Sequence, residues 1–267
     1  MAIANIESVK VIEQQFHTGE EPVLVTCSDM STYICKYMRS SAAAYKLVCE
    51  LIGSQMAASW QIDSPDYAFV HIHQRHWNGR QLSHNAYAPA IGSKRIEGVV
   101  DVTPSTFREV NRTIIQLHQL MKIALFDFWI ANEDRNANNA NLLYDVVQEK
   151  IVSIDYGCIL NTATYDFPLS QLTTTDTILC SDLFHHLIRE KRQTAINSIT
   201  TELKQDYSTC LKRSLLQVDE ILTALPKEWN VSSEVVSEKL KQLFDEHWMS
   251  ETWNNFMDCL NENLSHE

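Results

Sequence analysis

The chain has 267 residues, 45% of them hydrophobic and 21% charged, with a formal net charge of −12. That length can hold one large domain or two lobes with real cores, and the acidity disfavours direct nucleic-acid contact or an anionic membrane surface. Seven cysteines, never in a Cys-x-x-Cys pair, read as small core residues of a reducing compartment and not as a disulfide or zinc framework.

The N-terminus has no charged-then-apolar leader pattern, and no apolar run reaches about 18 residues. A cytoplasmic location is therefore expected. Val9, Val11 and Ile12 suggest a first strand. Residues 22–27 and 32–37, rich in β-branched and aromatic side chains, read as a hairpin about the turn 28–31. That turn has no glycine, so a two-residue primed turn is not expected. Ser40 and Ser41 offer an N-cap to a helix over 42–52, with Gly53 as its stop. Residues 67–72 form another strand.

Beyond this the pattern turns helical. Over 106–131, Phe107, Val110, Ile114, Leu117, Met121, Leu125 and Phe128 recur at helical spacing. Further helices are predicted over 176–190, 194–213, 215–225, 233–247 and 250–263, with Pro226 marking a break. The expected fold class is α+β with two lobes. A small antiparallel-sheet N-lobe occupies 1–76, and a larger, mainly helical C-lobe occupies 77–267.

The chemistry concentrates after the long helix. Asp134 and Asn139 share a polar loop, and Asp155 follows an apolar strand, just before Tyr156 and Gly157. Phosphoryl transfer asks little covalent help of a protein. It needs a held nucleotide, a metal fixed by oxygen ligands and a base beside the acceptor hydroxyl. Two acids and an amide brought together by a hairpin suit that need. Lys36 on a strand and Glu50 on the next helix could form a charge-assisted pair over the phosphates. Singly, each residue has a plainer reading, as a capped turn, a strand-edge lysine or a solvated helix face. Their order in one chain argues for the site.

The segment Asn132-Glu-Asp-Arg-Asn-Ala-Asn-Asn139, then Asn141-Leu-Leu, then Ile154-Asp-Tyr-Gly, resembles the catalytic and metal-binding segment of HipA-like kinases. More distantly it is similar to phosphatidylinositol kinases. Gly19-Glu-Glu-Pro-Val-Leu-Val-Thr-Cys, Tyr33-Ile-Cys-Lys36 and Glu50 agree with the small lobe of that fold. The resemblance covers about residues 15–160 and implies a protein-kinase-like fold with ATP between the lobes. By it, Asp134 is the catalytic base, Asn139 and Asp155 are Mg²⁺ ligands, and Lys36 is the phosphate-contacting lysine with Glu50 as its partner.

The resemblance further implies a serine or threonine of a protein as acceptor, and the toxin–antitoxin setting of such kinases, with an antitoxin-type regulatory partner. Asn136 replaces the histidine that many members carry after Asp-Arg. No glycine lies between Gly19 and Gly53, which leaves the phosphate grip to the turn 28–31. A kinase for a small-molecule or lipid hydroxyl, a kinase-like binding module, and a helical interaction protein stay open as alternatives. For Arg135, a surface ion pair and an orienting role are both open. His71, His73 and His76 lack a completing cysteine or acid and do not read as a metal site. The strand over 67–72 is expected to lead into the hinge between the lobes.

Overall fold

The computed structural model describes residues 3–265, apart from 18, 78, 80, 81, 190 and 192. A six-stranded sheet comprises β1 (Ala4–Glu7), β2 (Gln14–Gln15), β3 (Val23–Thr26), β4 (Thr32–Lys36), β5 (Tyr67–His71) and β6 (Ala90–Lys94). Its spatial order is β1-β5-β6-β4-β3-β2, antiparallel except for the β1–β5 pair. Helix α1 (Ala43–Ser59) connects β4 to β5. A second, antiparallel sheet holds β7 (Val99–Asp101), β8 (Leu142–Asp145) and β9 (Lys150–Ser153).

The rest is helical. Helix α2 (Ile114–Ile130) precedes the second sheet's hairpin. After it come a short left-handed turn, α3 (Ile159–Ala163), then α4 (Asp182–Ile188), α5 (Gln193–Leu215), α6 (Val218–Ala224), α7 (Ser233–Leu243) and α8 (Glu246–Leu264). Among the described residues no helix is long and apolar enough to cross a membrane.

The hairpin of β3 and β4 forms as expected, with Val23 opposite Cys35 and Thr26 opposite Thr32. Asp29 builds its turn: one carboxylate oxygen accepts from the Ser31 amide at 3.0 Å, the other from the Tyr33 hydroxyl at 2.8 Å. Along β4 the side chains alternate. Tyr33 and Cys35 enter a small core with Val23, Val25, Val70 and Trp77, while Lys36 points to the opposite face. That alternation brings a lysine onto the α1 side of the sheet.

Helix α2 is apolar over most of its surface and is buried all round from Ile123 to Ile130, while Ile114 and Ile115 of its first turn are exposed. Thr113 caps it, its hydroxyl accepting from the Ile115 and Gln116 amides. At its far end Trp129 donates from its indole to the Leu243 carbonyl at 2.8 Å, and Trp248 donates to the Trp129 carbonyl at 2.9 Å. Trp129 also stacks on Trp60 of the α1 C-cap, with ring centroids 5.4 Å apart. Each fully buried large apolar side chain of this kind stabilises the fold by roughly 1.5–3 kcal/mol. The long helix therefore binds α1 and α8 into one core, and its C-terminus is a fixed platform for the loop that follows.

Several local expectations are corrected. The first strand is Ala4–Glu7, and Val9 and Val11 are exposed. Helix α1 starts without a side-chain cap, the Ser40 carbonyl receiving the Ala43 amide instead. The chain does not turn helical after residue 76: β6 is a central strand of the first sheet, so that sheet draws on chain beyond the 1–76 boundary. It is β6, and not the strand at 67–71, that passes on to the second sheet through residues 95–98. The helix predicted from residue 106 starts at Ile114, after a single 3₁₀ turn. Of the helix predicted over 176–190, residues 182–188 are α-helical, and Glu190 lies outside the described residues.

Gly53 does not end α1; it lies inside it. A Cβ there would stand 2.2 Å from the Tyr156 Cβ and 2.4 Å from its Cγ. The missing side chain is what lets the segment carrying Asp155 approach the helix. Gly53→Ala is therefore expected to destabilise the protein by about 1–3 kcal/mol through overpacking, net of the ~1 kcal/mol that alanine gains over glycine within a helix. Urea unfolding checks this, and a stabilised variant would contradict the close packing.

Candidate active site

Lys36, Glu50 and Asp155 arrive from a strand, a helix and the turn after β9, and the fold joins them. The Lys36 ammonium donates to Asp155 Oδ1 at 2.6 Å and to Glu50 Oε1. It also lies 3.1 Å from Glu20 Oε2. The Glu50 side chain is only 4% exposed and that of Lys36 15%, so water screens their attraction little. Glu50 has a second task, its Oε2 accepting from the Tyr156 amide at 3.2 Å. One carboxylate thus holds both the lysine and the backbone next to Asp155.

The charges divide unevenly among the three. Burial pushes the Glu50 carboxyl up, to about 7, against the pull of Lys36. Burial would raise Asp155 too, but the Lys36 charge and hydrogen bond, with help from the Gly157 amide, hold it below the usual carboxylate range. For Lys36 the desolvation penalty is overcome by Glu50, Asp155 and Glu20, and its pKa is well raised. The ammonium therefore stays charged, and of its two nearest carboxylates Asp155 is the one whose anionic form is favoured.

Backbone geometry adds to this. Asp155 has φ 61°, a left-handed conformation that costs a non-glycine residue on the order of 1 kcal/mol or more. Lys36 and the Gly157 amide, which donates to Asp155 Oδ1 at 3.3 Å, hold it there. At Gly157 a Cβ would sit 3.0 Å from Glu50 Oε1 and 3.3 Å from Glu20 Oε1, so both carboxylates would have to give way by a few tenths of an ångström.

Arg135 decides the course of the facing loop. Its side chain is fully buried and pairs at 2.5 Å with the buried Asp127 of α2. Its Nη2 donates to the Ile154 carbonyl at 2.8 Å, and its guanidinium lies 5.3 Å from the Tyr156 ring centre. The surface ion-pair reading is thereby overturned in favour of the orienting one. Arg135 ties α2, the Asp134 loop and the strand end before Asp155 into one unit. Asp127 is raised in pKa by burial, although Arg135 and the Asn132 amide both favour its charge.

Asp134 stands on that loop with its Oδ2 accepting from Asn141 Nδ2 at 2.9 Å. The Asn141 carbonyl accepts from the Ile154 amide at 3.1 Å. Asn141 thus spans from Asp134 to the strand that delivers Asp155. Cys158 lies between the two halves of the site. Burial, then Asp134, raise its thiol to about 11, while Lys46 opposes them.

Asn139 lies apart from this cluster. It is exposed, its backbone exchanges hydrogen bonds with Asn136, and it lines a cavity of about 250 Å³ with Asp101, Thr103, Ser181 and Asp182. Among the described residues no side chain hydrogen-bonds its amide.

The turn 28–31 does not reach Lys36. It closes the hairpin at Thr26 and Thr32, four residues up β4, on the order of 13 Å away at the rise of a strand. The segment beside Lys36 is residues 19–22, just before β3, through Glu20. Sequence reasoning missed Glu20, Lys46 and Asp127 as members of the site. Only the acidic pair after Gly19, already visible in the small-lobe pattern, could have signalled one of them.

The model of the HipA-like kinase family matches residues 8–256. The chain belongs to the HipA-like kinase family. Its fold is accordingly protein-kinase-like, with a small sheet-rich part and a larger helical part, and its chemistry is that of a kinase-type phosphotransferase family.

Among solved structures, an aminoglycoside phosphotransferase from Alicyclobacillus acidocaldarius subsp. acidocaldarius DSM 446 is similar at 12% identity and TM-score 0.30, over 97% of this chain and 95% of that one. The open conformation of CtTel1 is similar at 11% identity and TM-score 0.31. That match covers 90% of this chain but only 11% of CtTel1. No curated protein matches the sequence.

Removing one partner of a buried ion pair leaves the other charge uncompensated. Arg135→Met should therefore destabilise the protein by about 3–5 kcal/mol, and adding Asp127→Asn should recover a large part of that loss. Chemical denaturation of the two variants checks this. A single variant costing under about 1 kcal/mol would contradict the anchoring role.

Proposed function

We propose that the chain is an ATP- and Mg²⁺-dependent kinase that transfers the γ-phosphate to a serine or threonine hydroxyl of a protein. The observation that carries the reading is the meeting of Lys36, Glu50 and Asp155 across 119 residues of chain, opposite the loop that holds Asp134.

Asp155 (36% exposed) offers a hard oxygen ligand, the type Mg²⁺ prefers, while the exposed Asn139 shares no hydrogen bond with it. In this reading Asp155 would be the anchoring Mg²⁺ ligand and Asn139 a second one supplied from the Asp134 loop, and the ion would supply charge neutralisation at the phosphate oxygens. Lys36 places its ammonium on the phosphates, and Glu50 fixes the direction of that ammonium from the α1 side. Asp134 accepts the proton of the acceptor hydroxyl. Asn141 and Arg135 keep the Asp134 loop in register with Asp155, so base and metal ligand move together. The protein acceptor is taken from the resemblance of the Asn132–Asn139 segment to HipA-like kinases, the family match itself supporting a kinase.

Thermal melting tests binding, and label transfer from ATP to a mixed protein extract tests chemistry. ATP with Mg²⁺ should raise the midpoint, the gain reaching about 2.7 kcal/mol at a ligand concentration of 100 Kd. Asp134→Asn should lower transfer by roughly 10²–10⁴-fold while keeping the melting shift. Asp155→Ala should lose the Mg²⁺-dependent part of that shift. Equal transfer by the wild type and both variants would sink these roles.

A further inference from the structure

The mechanism above leaves one lysine and one glutamate at the site without a task. Lys46 lies on α1, one turn before Glu50 and on the same face. Its ammonium is 3.2 Å from Glu20 Oε1, while the other oxygen of the same carboxylate, Oε2, is 3.1 Å from Lys36. Two ammonium groups, from β4 and α1, therefore converge on a single small anion. Neighbouring oxygens of a carboxylate and of a phosphate group are similarly spaced, so the position that Glu20 fills is one a phosphate can fill.

The stretch that carries Glu20 is anchored separately. The Gly19 carbonyl accepts from Arg39 Nη1 at 3.2 Å, and the Glu21 carboxylate pairs with Arg39 Nη2 at 3.0 Å. Glu20 is thus presented to the site from a held backbone. Its Oε1 also stands where a Cβ on Gly157 would be 3.3 Å away, over the turn after Asp155. Glu20, Glu50 and Asp155 together set three carboxylates against two ammonium groups. A triphosphate entering that set meets like charge until Glu20 leaves it. Lys46 and Glu20 are 40% and 28% exposed, so the exchange needs no opening of the core.

We propose that Lys46 is a second phosphate-binding residue of the nucleotide site and that the Glu20 carboxylate is its internal competitor, holding Lys36 and Lys46 until the phosphates of a nucleoside triphosphate replace it. The proposal rests on the kinase reading above. It assigns part of the phosphate grip to the α1 face, in a chain without a glycine-rich loop.

Isothermal titration of the full chain with ATP and with adenosine tests it, on the wild type, Glu20→Gln, Lys46→Met and Lys36→Met. Glu20→Gln should bind ATP about tenfold more tightly, and Lys46→Met about tenfold more weakly, than the wild type. Adenosine, which has no phosphates, should bind both variants as it binds the wild type. ATP binding by the wild type that is lost in Lys36→Met but unchanged or weakened in Glu20→Gln overturns this proposal and leaves the kinase reading intact. Equal changes for ATP and adenosine also overturn it, since the effect then lies outside the phosphates. Absence of ATP binding in both the wild type and Glu20→Gln overturns both readings. ATP binding by Glu20→Gln alone supports both.

Discussion

The Lys36 ammonium is the point at which distant parts of the chain agree. A lysine on a strand is ordinarily solvated, and burying it without partners would cost several kcal/mol. Here β4, α1 and the turn after β9 each supply a piece of its environment. Alternation along β4 turns Lys36 toward α1, and helical spacing on α1 turns Glu50 toward the strand. Gly53 then removes the side chain that would keep the Asp155 turn at a distance. The ion cluster and the close backbone packing require each other. Glu50 illustrates this, since one of its oxygens serves Lys36 and the other the Tyr156 amide.

A second buried charge extends that order to the facing loop. The Arg135–Asp127 pair is costly to bury, and an apolar pair of the same shape could serve stability as well. Its geometry points to a positional task. Asp127 lies on the helix that anchors the core, and Arg135 also reaches the Ile154 carbonyl, one residue before Asp155. Asn141 makes a parallel link through Asp134 and the Ile154 amide. The loop bearing the proposed base is therefore fixed to the same strand end as the proposed metal ligand. The spacing between them is held by the buried Arg135–Asp127 pair and by part-buried hydrogen bonds at Ile154 and Asn141.

Much of this was legible in the chain, and the failures have physical reasons. Lys36 and Glu50 could be read because each sits in an element with clear periodicity, and Asp155 because it follows one directly; their order carried information that no one of them did. The sequence sets Asp134 and Asn139 in one loop, but only Asp134 is linked toward the cluster, through Asn141. Strand β6 was invisible because Ala90, Gly92 and Ser93 have little strand preference. It forms because Gly92 admits Val70, whose Cγ2 would lie 2.6 Å from a Cβ there. The turn 28–31 is the obvious turn of the hairpin and the natural place to expect a phosphate grip, yet hairpin register puts it at the wrong end of β4. Arg135 could not be resolved either, since its burial depends on Asp127 and Tyr156, which only tertiary packing brings near.

The central claim is that Lys36, held by Glu50 and Asp155, forms the phosphate end of a nucleotide site. Its most direct test is isothermal titration of the wild type and Lys36→Met with a non-hydrolysable ATP analogue and Mg²⁺, after melting curves show that both are folded. The account expects one binding site in the wild type and an affinity at least about tenfold lower in the variant. Equal affinity in the two proteins, or no binding by the folded wild type, would contradict it.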